Sequence, residues 1–161
     1  MGYICTSTKN IMESNNEIIS DLKDLLSIVN DGKEGYESAS EATEKIELKG
    51  VFLKYSAQRA LYASDLKAHI ATHGGDAENE SGGILGALHR TWIDIKQALS
   101  SKEDKAILEA IVTGETAAIE KYDKYIADYV DHADHLELLR KQREGIQSAL
   151  QEIQGLIPSQ A

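Results

Sequence analysis

Of the five histidines in this chain, four come in two close pairs. His69 and His73 are four residues apart, and His132 and His135 are three apart. On a helix either spacing puts both rings on one face. Asp65 stands four residues before His69, and Asp128 and Asp131 adjoin the second pair. Imidazole with carboxylate is a donor set for zinc, iron or nickel. The plain alternative is histidines at helix ends, solvated or hydrogen-bonded, with Asp65 and His69 as a helix surface pair.

A second group is polar but sits where the apolar pattern assigns a core. Arg59, Glu115 and Gln142 fall on the stripes of three different helices, and Tyr36, Tyr62 and Glu34 belong near the same layer. Arg is a permanent cation, so Arg59 stands where a metal would need anions. The simplest chemistry is a buried Arg59–Glu115 pair, with Gln142 and tyrosine hydroxyls completing the hydrogen bonds. The alternative is a small polar pocket that takes an anion or metabolite through Arg59. Tyr122, Tyr125 and Tyr129 follow at helical spacing, which suits electron transfer but equally suits core and rim.

Other chemistries lack their residues. There is no P-loop, nucleotide-binding glycine motif, nucleophile elbow or zinc-finger spacing. A net charge of −10 argues against nucleic acid and anionic membranes as partners. Cys5 is alone, so no internal disulfide forms and a cytoplasmic location is expected. No apolar run approaches a membrane span, and no signal-peptide pattern is present. The opening M-G-Y-I-C-T fits an N-myristoylation pattern. The plainer reading of residues 1–14 is a disordered leader, or a start at Met12.

The elements that must position these groups are helices. Hydrophobic content is 42% with a single Pro, and no strand-like alternation of useful length occurs. A first helix is expected behind the capping candidates Ser14 and Asn15, with the stripe Ile18, Leu22, Leu25, Val29, Gly32, Tyr36, Ala39, Thr43. Gly32 and Gly35 imply close approach of another backbone, a bend, or a helix end. After a break near Glu44 to Glu47, a second helix runs through Leu48, Phe52, Tyr55, Arg59, Tyr62, Leu66, His69 and His73, and stops at Gly74-Gly75. A third, shorter helix carries Leu85, Leu88, Trp92, Ile95 and Leu99. Ser100 with Glu103, or Ser101 with Asp104, offers a capping box for a fourth, through Leu108, Ile111, Glu115, Ala118, Tyr122, Tyr125 and Tyr129. A turn at Val130-Asp131 leads to a fifth, through His132, His135, Leu139, Gln142, Ile146, Ala149, Ile153 and Leu156. The four long helices are each about 25 residues, roughly 40 Å. Short links make two antiparallel hairpins, and the third helix can carry the chain back along the bundle. The expected fold is all-α: one ferritin-like four-helix bundle over residues 15–156, a shorter fifth helix as crossover, and a tail at 157–161. In that arrangement the second and fifth helices are antiparallel neighbours, which gathers the four histidines at one end.

Gly86 to Lys96 (G-A-L-H-R-T-W-I-D-I-K), Asn30 to Tyr36 (N-D-G-K-E-G-Y), Asp104 to Glu109 and Gly114-Glu115 resemble a bacterial family of four-helix-bundle proteins. That family is a domain of unknown function in the ferritin-like superfamily, and the resemblance covers about Asp21 to Gln154. It implies the fold and a bacterial source, but no activity. A ferritin-type di-iron centre needs Glu-x-x-His motifs on two helices. Three residues before His69, His73, His89, His132 and His135 stand Leu66, Ile70, Gly86, Tyr129 and His132. None is acidic. The expected function is a structural or interaction protein that forms homo-oligomers and holds no cofactor. The alternative is a metal-binding protein with a non-standard site at the histidine end.

Overall fold

In the computed structural model the backbone is described for residues 2–76, 95–101, 103–129 and 133–160, and side chains from residue 15 onward. The long helices are α1 (Gly2–Ala42), α2 (Ile46–Thr72), α3 (Asp104–Asp128) and α4 (Ala133–Leu156). Short 3-10 turns cover Leu99–Ser101 and Pro158–Gln160. Among the described residues there is no strand. The expected fourth and fifth helices are α3 and α4. Most of the expected third helix, with Trp92 and His89, lies outside the described residues, as do His132 and the turn at Val130-Asp131.

Helix α1 begins at Gly2 rather than behind Ser14 and Asn15. Residues 2–13 contain no Pro, and their one Gly is at the first position, so nothing interrupts the helix. Asn15 is inside α1 and caps the end of α2 instead, its Nδ2 donating to the His73 carbonyl at 2.9 Å. Gly32 and Gly35 are both buried within unbroken helix. The capping box is absent. Glu103 is the N-cap of α3 and makes no side-chain capping bond. Ser100 and Ser101 donate instead to the carbonyls of Gln97 and Ala98, because the preceding chain closes as a 3-10 turn. Helix α2 stops where its glycines predict. Gly74 takes φ +82°, its N–H reaches the Ala71 carbonyl, and the Gly75 N–H reaches that of Ile70. That double bond is the Schellman closure, which needs a left-handed residue.

Interhelical bonds fix the helix directions. Asn15 meets His73 and Lys49 Nζ meets the Ser40 carbonyl, so α1 and α2 are antiparallel. Thr43 bonds Asp104 and Tyr36 bonds Glu115, so α1 and α3 are antiparallel. Tyr122 bonds Gln142, and Arg143 bonds Asp123, which pairs α3 with α4. Tyr55 bonds Glu152 while His69 faces His135, which makes α2 and α4 antiparallel as well. The order around the bundle is therefore α1, α2, α4, α3, and the diagonal partners α2 and α3 run parallel.

Among the described residues the apolar core has two large parts, to each of which all four helices contribute. One half holds Leu22, Leu25, Val29, Leu66, Ile70, Tyr122, Leu139 and Ile146. The other holds Tyr36, Phe52, Leu108, Ile111, Ala149 and Ile153. Between them α2 presents Arg59 and α3 presents Glu115, both buried. Where α4 faces α2, Gly145 leaves room for the Tyr62 side chain. A Cβ there would lie 1.8 Å from the Tyr62 hydroxyl oxygen and 3.0 Å from Cζ. Gly145→Ala is therefore expected to lower the melting temperature. Overpacking costs about 1–3 kcal/mol, against a helix-propensity gain of about 1 kcal/mol. Adding Tyr62→Phe removes the atom in closest conflict, and calorimetry should show partial recovery.

Candidate functional site

Two polar constellations lie inside this frame. The first is central. Arg59 and Glu115 are 1% and 0% exposed, and they meet across the α2/α3 diagonal. Arg59 Nη1 donates to Glu115 Oε1 at 2.6 Å, Nη2 donates to Oε2, and Nε donates to Gln58 Oε1 at 3.3 Å. Tyr36 donates its hydroxyl to Glu115 Oε2 at 2.8 Å, and its ring centre lies 5.5 Å from the guanidinium carbon. Both charges are thus held by hydrogen bonds as well as by each other, the condition under which buried charges persist. Burial disfavours the Arg59 cation, but the Glu115 charge and hydrogen bonds outweigh it and raise its pKa. Burial, and then the Glu115 charge, push the Tyr36 hydroxyl well above its ordinary value.

Not every residue expected in this layer is in it. Gln142 is buried, but its partners are the Tyr122 hydroxyl, at 2.6 Å, and the Tyr62 carbonyl, at 3.2 Å. It closes an adjoining α2–α3–α4 link rather than the ion pair. Tyr62 joins that link through its backbone. Glu34 is a correction: its side chain is 60% exposed and pairs with Lys96 Nζ at 3.4 Å. It sits two residues from both Gly32 and Tyr36, so the helical turn carries it off their face.

The second constellation is at the end of the bundle where α2 stops and α4 begins. His69, His73, His135 and Asp134 each offer a ligand atom, all within 4.8 Å of one another. His69 Nε2 is 2.5 Å from His135 Nδ1. Asp134 Oδ2 is 3.9 Å from Nε2 of both His69 and His73. The three rings pack with centroids 4.5 to 5.0 Å apart. His135 is 2% exposed, whereas the Asp134 side chain is 65% exposed, so the group has a dry floor and an open side. His73 Nδ1 is 3.1 Å from Asn15 Oδ1. His73 Nε2 is buried without a hydrogen-bond partner. The Tyr129 ring is tilted 55° from that of His135, ring centres 6.2 Å apart, and Tyr129 donates its hydroxyl to Asp21 on α1. Tyr125 does the same to Asp24. Of the tyrosine run, Tyr122 and Tyr125 are buried core and Tyr129 is half-buried rim, and all three hydroxyls are hydrogen-bonded.

The sequence placed His69, His73 and His135 together because α2 and α4 are antiparallel. His132 lies outside the described residues. The carboxylate was misassigned: the group contains Asp134, not Asp65. Asp65 is one turn back along α2, which the pairing of His69 with His135 sets level with the Leu139 region. Asp134 gave a faint signal, since an acidic residue in the first turn of a helix is favoured there for another reason.

The family model described as a domain of unknown function, DUF2383, matches residues 17–128. The chain belongs to that family. The match covers α2 and α3 and most of α1, and ends before Asp134, His135 and Gln142. No curated protein matches the chain.

Two outcomes test this geometry. Arg59→Ala strands Glu115 and should cost about 3–5 kcal/mol in denaturant unfolding. Replacing both partners with Arg59→Met and Glu115→Leu should restore most of that. The second concerns pH. Burial, and then the neighbouring His73, hold the His69 imidazole below its ordinary 6.5, against the pull of Asp134. The unfolded chain then binds the proton more readily, so this contribution is intact above 6.5 and is lost as pH falls below it. Asp21, whose carboxyl burial raises, acts in the opposite sense. The metal-free chain should melt lower at about pH 5.5 than at about pH 7.5, and His69→Gln should narrow that difference.

Proposed function

We propose that this DUF2383 member is a metal-binding helical bundle of ferritin-like topology. It holds one divalent transition-metal ion through His69, His73, His135 and Asp134. The observation that carries the reading is the convergence of those four donor atoms within 4.8 Å, one of them a buried nitrogen with no partner. Buried polar atoms are almost always satisfied, and a cation would satisfy this one. Three imidazoles and one carboxylate suit zinc, whose structural sites are filled by four protein donors. The site would therefore hold the ends of α2 and α4 together rather than perform hydrolysis. Topology supports the same family of folds. With α2 and α3 parallel, α2 ends and α3 begins at opposite ends of the bundle, which is the relation a ferritin-like crossover serves. The centre is furnished differently from a di-iron bundle, with a cation, Arg59, facing the Glu115 carboxylate.

A structural or interaction role accompanies this reading. Leu53 and Leu61 are exposed on α2, at 53% and 60%, two turns apart on one outer face. They support assembly with a second copy, which the solution mass would report.

The test is metal uptake. The protein is stripped with a chelator, dialysed and titrated with zinc in a calorimeter. One zinc per chain is expected, with a raised melting temperature. His73→Ala and His135→Ala should each abolish tight binding. A wild-type chain with no zinc uptake and no thermal shift would overturn the reading.

A further inference from the structure

We infer that Asn15 of α1 is the positioning residue that makes His73 a metal ligand, an inference that rests on the metal reading above. Asn15 contacts His73 at two points. Its Nδ2 donates to the His73 backbone carbonyl at 2.9 Å, and its Oδ1 lies 3.1 Å from His73 Nδ1. The first contact orients the second. A carbonyl oxygen only accepts, so the end of the amide facing it must be the NH2. The end facing the ring is then the oxygen, which also only accepts. The hydrogen in that second bond must therefore belong to His73 Nδ1. A neutral imidazole with its hydrogen on Nδ1 carries its lone pair on Nε2. Nε2 is the atom that is buried and without a hydrogen-bond partner, 3.9 Å from Asp134 Oδ2. In the neutral ring that lone pair is aimed into the donor cluster.

The arrangement is the outer-shell device by which a ligating histidine gives its other N–H to a fixed acceptor. Here the acceptor comes from α1, which supplies none of the four ligands. The same amide also satisfies one of the open carbonyls at the end of α2. Ring orientation and helix end are therefore set by one side chain, and the metal site depends on how α1 docks.

The experiment separates those two bonds. Asn15→Ala loses both. Asn15→Asp keeps the acceptor for Nδ1–H and loses the donor to the carbonyl. Zinc affinity is read by competition with a chromophoric chelator, and the His73 tautomer by 15N NMR on the metal-free protein. In the wild type, His73 should carry its proton on Nδ1. Asn15→Ala should still bind one zinc, about 10–100-fold more weakly, with proton population moved toward Nε2. Asn15→Asp should retain the Nδ1–H tautomer and bind zinc at least as tightly as wild type. If Asn15 merely held the end of α2, both variants would weaken binding alike and leave the tautomer unmoved, which overturns the inference. So does a wild-type His73 protonated on Nε2. A wild-type chain that binds no zinc overturns the metal reading, and this inference with it. Zinc-binding wild type with an unchanged Asn15→Ala affinity overturns this inference alone.

Discussion

Arg59 and Glu115 impose the constraint on which the rest of the bundle is built. Two full charges removed from water are tolerated only if their geometry is near ideal and their remaining hydrogen-bonding capacity is used. The pair spans a diagonal, so neither partner can move without displacing one of two helices that are not neighbours. Tyr36 brings α1 into the same arrangement through Glu115, and Tyr122 with Gln142 brings in α4 one step away. Apolar packing above and below tolerates sliding, because hydrophobic contact is not directional. A two-pronged ion pair is directional. It fixes which residues of α2 and α3 share a level, and through them the level of each neighbouring helix.

That register reaches the end of the bundle. Seven residues of α2, close to two turns, separate Tyr62 from His69. Seven residues likewise separate His135 from Gln142. Once Gln142 is held against the Tyr62 carbonyl, the antiparallel count brings His135 to His69. The two polar places are solved in opposite ways. In the centre every strong donor and acceptor of the ion pair has a partner within the protein. At the end a histidine nitrogen is left buried without a hydrogen-bond partner, beside an exposed carboxylate on a helix start.

Much of this was legible in the sequence, for identifiable reasons. Arg59 and Glu115 interrupt otherwise apolar stripes, and a charge at a core position predicts a countercharge. His69 and His135 were brought together by helix direction alone. Gly74-Gly75 marked the end of α2 because only glycine readily takes the φ found there. The misreadings were local. Glu34 was assigned by proximity in sequence to the Gly32–Tyr36 face, where helical rotation matters more than distance. Asp65 stands out by its i, i+4 spacing to His69, a relation within one helix, whereas the cluster forms between helices and includes Asp134. Asn15 looked like an N-cap because Asn at the edge of a periodic run usually is one. Its actual partner is 58 residues away, a distance over which local sequence carries no signal.

The placement of the histidine cluster also bears on chain topology. His69 and His135 are 66 residues apart, and α3 with the preceding connection lies between them. An ion bound at both would be a reversible cross-link closing a long loop. Such a link restricts the unfolded ensemble much as a disulfide does, by an amount that grows slowly with loop length. Unlike a disulfide, it would act in proportion to the free metal concentration, through mass action on the folded state alone. The only cysteine in the chain is Cys5, so no internal disulfide can form, and the bound ion would be a staple that chelation can undo.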